Sequence, residues 1–76
     1  MKYKLITREK WDSGTEKFYA EKFPTYEEAY EDMREGYHDM AVERYAENIK
    51  ADITERNAFC KKDNGYEISW EIKEEA

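Results

Sequence analysis

From Tyr66 onward apolar and polar residues alternate strictly: Tyr66, Ile68, Trp70 and Ile72 against Glu67, Ser69, Glu71 and Lys73. A period of two is the mark of a strand with one buried face and one wet face. Asp63-Asn64-Gly65 just before it is hairpin turn chemistry. The segment NAFCKK (57–62) is therefore read as the partner strand. A second hairpin is expected at the start of the chain. Residues 2–11 alternate around Tyr3 and Leu5, Asp12-Ser13-Gly14-Thr15 supplies turn formers, and EKFYAEKF (16–23) returns. Glu74-Glu75-Ala76 are expected to fray.

Between the hairpins the period changes. Thr25 with Glu28 three residues later fits a capping box, in which hydroxyl and carboxylate take up orphan backbone N–H groups. Tyr26, Ala29, Tyr30, Met33, Tyr37, Met40, Ala41, Tyr45 and Ile49 follow at gaps of three and four, one apolar helical stripe. Glu27, Glu28, Glu31 and Asp32 crowd the first turns, where the helix dipole favours anions. Gly36 weakens the helix by roughly 1 kcal/mol against Ala. The pattern predicts one helix over residues 25–48, and Ile53, four beyond Ile49, leaves an extension open.

The predicted architecture is α+β: a single domain over residues 1–76, two-layer, in the order ββαββ. A four-stranded, mainly antiparallel sheet carries one long helix on one face. Ile68 and Trp70 are expected in the core.

Composition narrows the class. With 76 residues, 42% charged but 16% aromatic, the chain is too aromatic for a disordered tail and short enough to have a thin core. No apolar run approaches the roughly 20 residues of a membrane helix. Lys4 and Arg8 break up any signal-peptide core. One cysteine, Cys60, cannot close a disulfide within the chain, which points to a reducing cytoplasm. The net charge of −6 gathers in residues 25–48, which hold eight acids and two Arg. Such a surface disfavours direct nucleic-acid binding and suits either plain solubility or a protein partner with a basic surface.

Catalytic constellations are scarce. His38 and Cys60 are the sole histidine and cysteine, without an orienting base between them. Zinc would need three or four Cys/His ligands. No phosphate-binding or nucleophile-elbow motif occurs. The expectation is a non-enzyme with no cofactor and no metal.

Two features are candidates for contact. Glu27, Glu31, Arg34, Glu35 and His38 lie along one outward strip of the helix, with Glu28, Asp32, Asp39 and Glu43 around it; Glu27, Glu31, Glu35 and Asp39 are the candidate contacts, in a row of carboxylates about 5–6 Å apart with few basic residues to pair with. That spacing is compatible with imitating a nucleic-acid backbone, and equally with a solvated helix. The second feature is aromatic. One helix covers one sheet face, yet FYA and AFC place apolar residues at adjacent positions. Some of Ile6, Tyr19 and Phe59 are expected on the open face, as an interaction patch or as isolated outward side chains.

KYKLITREKW, the helix entry FPTYEEAYEDM and the hairpin DNGYEISWEI, in a small acidic ββαββ chain, resemble the small phage and mobile-element proteins of the anti-CRISPR type. Those motifs are structural, so no residue role is carried over. The resemblance implies a stoichiometric inhibitor in the cytoplasm of a host bacterial cell. Such an inhibitor would block a nucleic-acid-binding defence complex by acidic-surface mimicry. The alternative is a homodimeric accessory module paired through the open sheet face or an edge strand.

Overall fold

The computed structural model describes residues 2–42, 49–62 and 65–75. Its elements are β1 (Lys2–Lys10), β2 (Glu16–Phe23), α1 (Tyr26–Val42), β3 (Ile49–Ile53), β4 (Asn57–Lys62) and β5 (Glu67–Glu75). The strands form one antiparallel sheet in the order β2-β1-β5-β4-β3. The architecture is α+β with α1 on one face, as expected, but the sheet has five strands and the order is ββαβββ.

The extra strand is β3, where the sequence suggested a continuation of the helix. A gap of four between Ile49 and Ile53 suits both periods, and in IKADI it is the period of two that operates. Ala51 and Ile53 lie opposite Cys60 and Ala58, so they share one face. The helix is correspondingly shorter, 17 residues, about 25 Å at 1.5 Å per residue. The tail expected at 43–48 falls outside the described residues. Glu74 and Glu75, expected to fray, instead pair with Tyr3 and Lys2.

The register sorts every strand into two faces. Tyr3, Leu5, Thr7 and Glu9 of β1 lie opposite Glu74, Ile72, Trp70 and Ile68 of β5. Ala58 and Cys60 of β4 join them across Trp70 and Ile68. Against this face α1 lays Ala29 and Met33, both without measurable exposure. Tyr3, Phe23, Tyr26, Tyr30, Tyr37 and Met40 pack around the buried cluster. Ile68 and Trp70 are core residues, as the alternation indicated.

Local chemistry fixes the joints. The Thr25 hydroxyl accepts from the Glu28 N–H at 3.2 Å, starting α1. A Cβ on Gly36 would stand 3.3 Å from the Trp70 indole. The glycine that weakens the helix thus lets it approach that ring. Both longer hairpins close alike. Trp11 N–H donates to Thr15 C=O and Gly14 N–H to Trp11 C=O; Lys62 N–H donates to Tyr66 C=O and Gly65 N–H to Lys62 C=O. Gly14 and Gly65 take φ of +92° and +93°, the left-handed position such loops require.

Candidate functional site

Glu27, Glu28, Glu31, Asp32, Glu35 and Asp39 are all exposed on α1. Core packing dictates this: the apolar stripe faces the sheet, so the intervening acids face water. Five of them, with Phe23 at the foot, border a shallow groove beside α1. Arg34, Glu35, His38 and Asp39 border a second depression further along. Glu31 is not unpaired, because Arg34 lies 3.7 Å from its carboxylate. Glu27, Glu35 and Asp39 have no ion-pair partner among the described residues.

Tyr19 and Phe59 are both exposed, at 49% and 44%, but on opposite faces. Phe59 lies opposite Ser69 on the open face, beside a depression bordered by Asp52, Asn57 and Glu71. Tyr19 lies opposite Thr7 on the α1 face, in the exposed stretch of the outer strand. The aromatic sharing the open face with Phe59 is Phe18, 65% exposed, with the Arg8 guanidinium 5.5 Å from its ring centre. Ile6 lies on this open face too, opposite Ala20 and Glu71. Tyr19 and Phe59 therefore form no common patch.

The open face also has a charge that segment-by-segment counting conceals. Lys2, Lys4, Arg8, Lys10, Lys22, Lys50, Lys61 and Lys73 point outward there, against Glu16, Asp52, Glu67, Glu71 and Glu75. Its cations outnumber its carboxylates although the chain is acidic. Several are paired: Arg8 with Glu16, Lys61 with Glu67, Lys73 with Glu71 and Lys4 with Glu75. The Arg8 guanidinium hydrogen-bonds Glu16 and holds its carboxyl below the ordinary value. The signal was present in the sequence, at the even positions of KYKLITREK (2–10), once a face is assigned to each strand.

The Trp11 and Tyr66 rings meet edge to face at 5.6 Å. Tyr66 Oη donates to Glu9 Oε2 at 2.9 Å, and burial with that bond pushes the phenol well above its ordinary pKa. Cys60 is buried, and burial pushes its thiol up, opposite to what a nucleophile requires. His38 lies exposed on α1, among charged neighbours. Among the described residues no cluster of His, Cys, Asp and Glu could hold a metal ion, and no helix is long and apolar enough to cross a membrane. No protein-family model, no curated protein and no solved structure matches the chain.

Proposed function

We propose that this chain is a non-catalytic binding protein that sets the acidic face of α1 against a basic surface on a partner protein. The surface would be of the kind that otherwise holds nucleic acid, and blocking it is how the anti-CRISPR-type proteins it resembles would be imitated. The observation that carries the reading is the separation of charge. The exposed side of α1 bears Glu27, Glu28, Glu31, Asp32, Glu35 and Asp39 with Arg34 as the one described cation, while the cations gather on the opposite side of the sheet. A basic partner therefore meets one face attractively and the other repulsively, which orients the encounter. The raised Cys60 thiol speaks against a cysteine nucleophile.

The test is a triple reversal, Glu31→Lys, Glu35→Lys and Asp39→Lys, leaving the first-turn acids to serve the helix dipole. Affinity for a captured partner should fall by roughly tenfold or more, with a shallower salt dependence. The melting temperature should hardly move, since exposed charges contribute little to stability. Nucleic acid should compete with the parental chain for the partner. Parental affinity and salt dependence in the reversed variant would reduce the acidic face to solubility surface.

A further inference from the structure

Edge strands present unpaired N–H and C=O groups, and soluble proteins usually guard them with shortness, proline, a bulge or charged side chains. β2 has only the last of these, in Glu16, Lys17, Glu21 and Lys22. It is eight residues long, lacks proline, pairs with β1 without interruption from Lys10↔Glu16 to Tyr3↔Phe23, and is exposed from Glu16 to Lys22. The edge at the far side of the sheet, β3, has five residues.

The outward-pointing groups follow from the turn. Trp11 and Thr15 form a hydrogen-bonded pair, and such pairs recur at every second residue. Lys17, Tyr19, Glu21 and Phe23 therefore bond β1, while Glu16, Phe18, Ala20 and Lys22 direct their backbone groups to the free edge. A two-fold axis at Tyr19 would pair this edge with its own copy, Phe18 opposite Ala20 and Glu16 opposite Lys22. At the non-hydrogen-bonded positions between them, Lys17 meets Glu21 and Tyr19 meets Tyr19. All four charged positions then face their opposites. Moving the register two residues either way, the smallest step that keeps the faces matched, removes every one of these pairs. Glu21 and Lys22 have no ion-pair partner within the chain among the described residues, and Glu16 uses only one carboxylate oxygen for Arg8.

We propose that β2 is a homodimerisation edge, joining two copies of this chain antiparallel about Tyr19 into one continuous ten-stranded sheet. The pairing is isologous and closes on itself, and it covers Phe18 and Tyr19, the two most exposed large apolar side chains. It leaves the α1 acids free, so it stands or falls separately from the reading above.

Sedimentation velocity on the whole chain, from micromolar to submillimolar, tests it. The parent should show a monomer–dimer equilibrium. Glu21→Lys should raise the dissociation constant on the order of ten- to a hundredfold, because two attractive cross-strand pairs become repulsive. Lys17→Glu should do the same. The two single variants mixed should form a heterodimer, and the Lys17→Glu/Glu21→Lys double variant should regain the parental constant. A parent that stays monomeric throughout, as it would if β2 were reserved for a strand of another protein, overturns the proposal. So does a dimer indifferent to Glu21→Lys, or single variants that fail to rescue each other.

Discussion

On the α1 side of the sheet Leu5, Ile68, Trp70 and Ile72 are shut away from water, whereas on the other side the alternate residues of the same strands form rows of lysines and carboxylates broken by Phe18 and Phe59. The strands are shared and the backbone is shared; only the parity of the residue differs. The first set gains from removal of apolar area, a large term. The second consists of exposed ion pairs, each contributing about 0–1 kcal/mol. Stability is therefore concentrated on one face, and the other is free to vary in charge with little effect on folding. Charge follows the same division, with acids on the outside of the helix and cations on the outside of the sheet.

The sharpest way to break that comparison is a pair of aromatic truncations. Trp70→Ala should cost about 3–5 kcal/mol, about the whole stability of so small a core, and a thermal melt should show no cooperative transition. Phe59→Ala, one position away across the sheet, should cost below about 1 kcal/mol, in the range of ordinary surface substitutions. Equal losses would show that the open face is covered. Next comes Gly36. Gly36→Leu drives a side chain into the Trp70 indole, 3.3 Å from even a Cβ, and should cost about 1–3 kcal/mol through overpacking by chemical denaturation. A stabilised variant would mean that α1 does not rest on the ring.

Much of this division was readable from the residues. In β5 each apolar residue is followed by a polar one, because one face is packed and the other wet, so that strand and its core residues could be placed directly. Thr25 marked the start of α1 by its hydroxyl. β3 was hidden because Ile49 and Ile53 continue a helical stripe and alternate equally well, and Ala51 has no strand preference to decide between them. β2 resisted face assignment for a different reason. The helix reaches only its Phe23 end, both faces are exposed from Glu16 to Lys22, and no burial separates Phe18, Tyr19 and Ala20. The expected acids of α1 were exposed as read, whereas pairing Tyr19 with Phe59 required knowing which face each occupied.

The two faces should also differ in the direction of their pH response. On the open face the Glu16 carboxyl is held below its ordinary value of 4.5. The unfolded chain then binds the proton more readily, so this small contribution is present above that value and fades as pH falls through the folded one. On the α1 side Tyr66 is raised above its ordinary value of 10.0. Its contribution is complete below pH 10 and is lost as pH rises beyond it. Glu16→Gln should flatten the acid limb of a melting-temperature profile and Tyr66→Phe the alkaline limb, each by a small amount. An acid limb unchanged in Glu16→Gln would mean that other carboxylates set it.

The centre of the sheet is made of strands far apart in the chain: Leu5 of β1 lies against Ile72 of β5, and β5 follows the other four strands in sequence. Until it emerges, the β1–β2 hairpin has no neighbour, and a two-stranded hairpin is marginal in water. α1 has no complete surface to rest on, and long-range pairing of this kind is slow to form. Folding of this sheet is thus deferred until β5 is available. A chain cut short before β5 lacks the strand that joins the two hairpins, so any partner meets this sheet with β5 in place or not at all.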